Sequence, residues 1–364
     1  MPLTTVQAGM LDTTAQYYSF KNRIINGAMV LDQRNAGAAV TTTGAYVVDR
    51  WFFNNASDGT LSVQQSTDVP SGSGFKYSLK MTATVGDATI GAAQYCNLQH
   101  RVEGYNFADT GFGASGASTV TLSFWVKATV AGNYSVALYN SAENRINPQQ
   151  FSVLVSNTWE QKTITYTGDT SGTWLSTNGV GVNVTFYPAL GSNFLGSAGW
   201  NAGGTFGVTG QSNAIASNAN IFAITGVQLE KGSTATSFDY RPYGTELALC
   251  QRYYYRITSL FAGDYIAPSA FAISTTLAVG ITPFPVPMRI KPTALEQDGV
   301  AADYVVVRCG AATFVACSAV PSFTQANINS AITLFTVASG LSNGIAGAGY
   351  GNNTTAYLGW SAEL

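Results

Sequence analysis

Between residues 21 and 243 the chain alternates large apolar with small polar residues in short runs, joined by Gly-, Ser- and Asn-rich links. That is the period of half-buried strands. The runs 46–53, 75–81, 119–128, 132–139, 151–155, 159–166, 180–186 and 221–229 each read as one strand. In the second, Phe75, Tyr77, Leu79 and Met81 alternate with Lys76, Ser78 and Lys80. Strands at this spacing predict a two-sheet β-sandwich. The stretch 190–220 breaks the rhythm with Gly191, Gly196, Gly199, Gly203, Gly204, Gly207 and Gly210. It predicts a long loop, which inside a compact domain is functional or mobile.

Arg241-Pro242-Tyr243-Gly244 reads as a turn and a domain boundary. Beyond it, Thr245 is placed to cap a short helix through Leu247, Cys250 and Tyr254, while the period also allows a strand over 251–257. A second, smaller β domain follows, with strands at 304–308, 333–337 and 357–362. The run 284–289 reads as an edge strand, because its prolines cannot donate to a ladder. Residues 340–353 read as a Gly-rich loop. The expected organisation is all-β: an N-terminal segment 1–20, a sandwich over 21–244 and a smaller β domain over 245–364. No repeat of fixed period suggests a propeller or solenoid. Segment 1–20 is polar and lacks a period; it is either a frayed terminus or an arm whose Val6, Met10 and Leu11 pack on a partner.

Charge changes the picture. Only 10% of residues are charged, against roughly 25% in an ordinary soluble domain. Such neutral surface suits a protein packed inside an assembly. Net charge is −2 and there is no basic run, which argues against nucleic-acid binding. No apolar run reaches the roughly 18 residues of a spanning helix. Met1-Pro2-Leu3-Thr4-Thr5 has neither the basic nor the apolar part of a signal peptide, so synthesis in a cytoplasm is expected. Cys96, Cys250, Cys309 and Cys317 form no Cys-x-x-Cys pair, which argues against zinc. A Cys309–Cys317 disulfide is open if both lie on paired strands, but cytoplasmic synthesis favours buried free thiols.

The residues suggest binding rather than catalysis. His100 is the one histidine, on a run that reads as strand into turn, and is expected to be structural. There is no Gly-x-Ser-x-Gly elbow or phosphate-binding loop. Glu103, Asp109, Glu143, Asp169 and Glu230 are scattered. Glycoside hydrolysis needs two carboxylates about 5–10 Å apart, a pair no sequence displays, so a depolymerase stays as an alternative. Sugars offer C–H faces to aromatic rings and hydroxyls to Asn, Asp, Gln and Arg. Trp51, Trp125 and Trp159 lie in strands and read as packed. Trp174 and Trp200 lie in polar, Gly-rich loops and are the candidate ligand-binding rings, with Asn201 beside the second. Tyr105, Asn106, Phe107 and Asp109 form a second candidate loop, and Tyr350, Asn352 and Asn353 a third.

Several stretches carry a resemblance. They are the run from Thr245 to Tyr254, Gly226-Val227-Gln228-Leu229-Glu230-Lys231-Gly232, Phe238-Asp239-Tyr240-Arg241-Pro242-Tyr243-Gly244 and Asn22-Arg23-Ile24-Ile25-Asn26-Gly27-Ala28-Met29. With Asp32-Gln33-Arg34-Asn35, Asp49-Arg50-Trp51 and the terminal Ser361-Ala362-Glu363-Leu364, the chain resembles bacteriophage tail-fibre and related virion proteins over residues 17–256. The resemblance implies a non-catalytic virion part made in the host bacterium, attached to other virion proteins through segment 1–20. For a fibre it also implies a homotrimer that binds host surface glycans. The alternative is an architectural head fibre, capsid-decorating protein or tail connector. The strand order, with Ser123-Phe124-Trp125-Val126 and Gly226-Val227-Gln228-Leu229-Glu230, is similar to the jelly-roll domains that bind carbohydrate. That likeness implies a jelly roll; it leaves a structural calcium open, with no ligand assigned. No other cofactor is expected.

Overall fold

The structure, a computed structural model, describes residues 20–308 and 314–364. Val6, Met10, Leu11 and Cys309 lie outside the described residues. The chain divides into two compact units, the first ending at Glu246 and the second running from Leu247 to Glu363.

The first unit is a jelly-roll sandwich whose chain passes back and forth between two antiparallel sheets. One sheet contains β1 (Ala45–Val48), β2 (Trp51–Asn55), β5 (Tyr95–Glu103), β7 (Gly132–Tyr139), β8 (Ile146–Val153) and β10 (Val180–Leu190), in the order β1-β2-β5-β10-β7-β8. The other contains β3 (Thr60–Ser66), β4 (Ser78–Val85), β6 (Val120–Ala128), β9 (Glu160–Tyr166) and β13 (Ile221–Lys231), in the order β3-β4-β13-β6-β9. Alternation sends Leu79, Met81 and Ala83 from β4 and Leu122, Phe124 and Val126 from β6 into the core. There they meet Trp51, Phe53, Tyr134 and Phe186 of the opposite sheet. A short parallel pair, β11 (Leu195–Gly196) and β12 (Gly207–Val208), orders the Gly-rich stretch.

Three readings of this unit change, and β3 is not among the expected strands. The run 75–81 enters its strand only at Ser78 and continues to Val85. The run 46–53 is two strands, because Asp49 and Arg50 make a tight hairpin turn and Arg50 takes φ 71°. Apolar residues on both sides disguise that turn. Of the run 151–155 only Phe151 to Val153 is strand, the tail of β8, which begins five residues earlier and contains Pro148. Proline is tolerated there because β8 is a sheet edge.

The helix α1 (Tyr243–Gln251) starts two residues before the expected cap, and Thr245 and Glu246 donate their amides to the Pro242 carbonyl. It ends at Gln251, short of Tyr254, and β14 (Tyr254–Thr258) begins three residues later than the expected strand, so each reading holds over part of its stretch. The second unit has a three-stranded sheet of β14, β23 (Tyr357–Ser361) and β17 (Leu295–Glu296). Its seven-stranded sheet contains β15 (Asp264–Ala272), β16 (Leu277–Pro283), β18 (Tyr304–Arg308), β19 (Phe314–Ala316), β20 (Ser322–Ala326), β21 (Ser330–Thr336) and β22 (Ala346–Gly351). Their order is β19-β18-β22-β15-β16-β21-β20. Trp360, Leu358, Phe335, Tyr304 and Ile266 centre its core.

The run 284–289 is no strand. Phe284 and Met288 turn inward as core plugs, and their amides donate to Asn329 and Ile328. The expected loop 340–353 contains β22, a strand inside the sheet. Its glycines answer a packing demand: a Cβ on Gly349 would stand 2.7 Å from the Phe335 ring.

Candidate functional site

The helical turns after β5 and the loops after β9 and β11 bring four aromatic rings together. Phe107 and Phe112 lie 4.9 Å apart, Phe112 and Trp174 5.0 Å, Phe112 and Trp200 5.8 Å, and the two tryptophans 5.6 Å. Most of these contacts are edge-to-face, the arrangement favoured by ring quadrupoles. Phe107 and Phe112 are buried, while Trp174 and Trp200 are partly exposed and pack on the core. Phe107, expected to meet a ligand, therefore forms the inner wall of the cluster.

Hydrogen bonds hold both indoles. Trp174 Nε1 donates to Asp169 Oδ2 and to the Ser171 carbonyl, each at 3.2 Å, and Trp200 Nε1 donates to the Thr167 carbonyl at 2.9 Å. Arg145 grips the buried Asp169 with two parallel bonds, 2.7 Å from Nε and 2.6 Å from Nη2. Its guanidinium carbon lies 5.8 Å from the Trp200 ring centre. The bond to Asp169 is the main cause that raises the Arg145 pKa, so the guanidinium stays charged. Gly172, at φ 78°, lets the loop pass where a side chain would collide with the Arg145 stem. The site thus combines two oriented aromatic rings with a planar cation, the residue types that suit a polyhydroxylated ring.

The other candidates fare differently. Asn201 bridges to Ile146 along the backbone, and its side chain serves its own loop, donating to the Thr205 carbonyl and accepting from the Gly203 amide. Tyr105 is 63% exposed and is the one free aromatic of its loop. The Asn106 carbonyl accepts from Arg23, and Asp109 pairs with Arg23 at 2.7 Å and Lys231 at 3.8 Å. Tyr350 lies on β22 rather than in a loop. Asn352 and Asn353 close turns by bonding the Ala302 carbonyl and the amides of Thr355 and Ala356.

His100 is fully buried on β5. Its Nε2 lies 3.0 Å from the Ile25 carbonyl oxygen, and its Nδ1 has no partner. Burial, followed by the charge of Arg50, holds its pKa well below 6.5, so the ring is neutral. Burial first, and the neighbouring Asp303 after it, push the Asp298 pKa upward. Among the described residues no three His, Cys, Asp or Glu side chains gather as a metal site, and Cys96, Cys250 and Cys317 are buried and form no disulfide.

Sequence reasoning missed two sets of residues. The run 22–29 and the stretch 226–246, both prominent as motifs, fold onto each other. Asn22 Nδ2 donates to the Val227 carbonyl at 3.1 Å, and Asn22 Oδ1 accepts from the Leu229 amide at 3.1 Å. Glu246 accepts from the Asn26 amide and pairs with the buried Arg241 at 3.2 Å. They border a cavity of about 200 Å³ walled by Phe75, Phe238 and Tyr240. The motif is a latch, and only its 205-residue separation hid that. The second set is a polar strip on the outer face of the six-stranded sheet, where Gln99 donates to Tyr139, and Thr185 Oγ1 donates to Tyr139 Oη at 3.0 Å. The 190–220 stretch covers the adjoining aromatic part of that face, with Phe206 5.3 Å from Tyr139 and 6.1 Å from Tyr187. The loop expected to be functional or mobile is therefore a lid over Tyr139 and Tyr187.

No family model matches the chain, and a comparison with curated proteins finds no match. Among solved structures, the enzymatically active domain of tailspike protein 4 of bacteriophage CBA120 shares 13% identity at a TM-score of 0.34, covering 58% of this chain and 21% of that one. The chain thus spans about a fifth of that tailspike. A CBM4 structure shares 16% identity at a TM-score of 0.30, covering 57% and 99% of the two chains. The family 11 carbohydrate-binding module from Clostridium thermocellum, in complex with a mixed-linked tetrasaccharide, shares 9% at 0.29, covering 55% and 100%. At these levels no ligand or activity transfers to this chain.

Proposed function

We propose that the chain is a non-catalytic virion protein, a tail fibre or fibre tip, whose first unit binds host surface glycans. The observation that carries the binding reading is the pair Trp174 and Trp200, partly exposed and held by their indole N–H groups beside the Arg145–Asp169 ion pair. A sugar ring laid against these indoles meets a fixed surface, so little side-chain entropy is lost on binding. Arg145 has N–H groups beyond the two bound to Asp169, and these are free in number to meet hydroxyls. The virion assignment rests on the motif stretches described above. Attachment to other virion proteins through segment 1–20 belongs to the same proposal.

The test is a glycan array, with whole-cell binding, of the intact protein and of Trp174→Ala with Trp200→Ala. The intact protein is expected to bind, and the double variant to lose at least tenfold in affinity, about 1.4 kcal/mol. Blank results with the intact protein on both assays would sink the glycan reading. The architectural alternative is a head fibre, capsid-decorating protein or tail connector, in which these aromatic loops would contact other virion proteins. Immunogold labelling of the capsid shell rather than the tail would favour it.

A further inference from the structure

The second unit has a sheet with two apolar faces and a core on only one of them. Register separates the faces. Ala270, Ala272, Ala278 and Phe335 point to the core, whereas Phe271 pairs with Val279, which pairs with Leu334, all on the other side. On that outer face Tyr265 is 55% exposed, Phe271 43%, Ile281 38% and Phe314 58%. None of the residues whose register places them there carries a charge. An antiparallel sheet open to water on one side normally alternates apolar and polar residues. This one does not, and contiguous exposed apolar surface of this kind marks an interaction site.

We infer that this outer face is an interface between copies of the same chain. Three observations select that occupant. First, the face carries no charge at its register positions, so a second copy can be set against it with no charge left buried and unpaired, whereas a distinct partner is commonly selected by charge complementarity. Second, the size fits. Seven strands about 4.8 Å apart span about 30 Å, and the seven-residue β16 and β21 span about 20 Å. The resulting ~600 Å² in projection is close to the ~800 Å² per partner of a stable interface. Third, a glycan is a poor occupant of the centre of the face, since Phe271, Val279, Leu334, Ile281 and Ile332 have no side-chain group to meet hydroxyls. Sheet-on-sheet packing at about 10 Å would bury Phe271, Ile281 and Leu334 as a second core.

The experiment uses the full chain. Light scattering at micromolar concentration is expected to show an oligomer, and Phe271→Lys with Ile281→Lys to dissociate it to monomer, with circular dichroism unchanged. A second variant keeps the test decisive if the lysines impair folding. Ser269→Cys, on the same face, is expected to react with maleimide slowly in the assembly and quickly after dilution to monomer, measured above the parent's own rate. A monomeric parent, or an oligomer indifferent to the lysines, overturns the inference. So does a Ser269→Cys site protected in a monomer and released by removing residues 1–19, because the chain would then cover its own face.

Discussion

A single side chain's role depends on what surrounds it, and His100 shows the consequence. Its folded pKa lies well below 6.5, so the unfolded chain binds a proton that the native ring refuses. That contribution to stability is therefore fully present above about pH 6.5 and is lost as pH falls through that value, at up to about 1.4 kcal/mol per pH unit. Thermal unfolding from about pH 7 to pH 5 should show His100→Gln losing this part of the slope; an identical slope would place the titration elsewhere. The candidate site shows the same dependence. Trp174 and Trp200 were legible because Gly-rich polar neighbours leave a ring partly in water. Phe107, in an equally polar turn, was not, because Phe112 and, from a distant loop, Trp174 converge on it.

At the scale of elements, the close approach of the 22–29 run to β13 is the tightest joint in the first unit. The Val227 amide donates to the Gly27 carbonyl at 2.9 Å, and a Cβ on Gly27 would fall inside the Val227 carbonyl group. Gly27→Ala should force the two backbones apart and cost about 3 kcal/mol, the upper end for overpacking. Urea unfolding measures it, and an unchanged midpoint would show that the joint yields freely. Most strands of the first unit were marked in sequence, but β3 was not, nor were β15, β16, β19 and β20 of the second unit. Strand ends were less legible, as the hairpin at Asp49-Arg50 and the early start of β8 show, because turns and sheet edges are settled by pairing partners.

For the whole molecule, the two units have separate cores. Calorimetry should resolve two unfolding transitions, with Gly27→Ala lowering one and Gly349→Ala, which presses on Phe335, lowering the other. A single transition moved equally by both substitutions would show that the cores melt together. A sparsely charged chain signalled burial within an assembly. The sheet face that carries Phe271 and Ile281 locates where such burial is available.

The sequence by itself determined the all-β class, most strands of the first unit and the short helix, because side-chain period and turn chemistry are local properties. It also marked Trp174 and Trp200. Only tertiary structure decided that a Gly-rich run is the inner strand β22, that Phe284 and Met288 are core plugs, and that distant motifs form one latch. Those outcomes depend on which surfaces residues far apart in the chain present to each other, and a period of two carries no record of the partner.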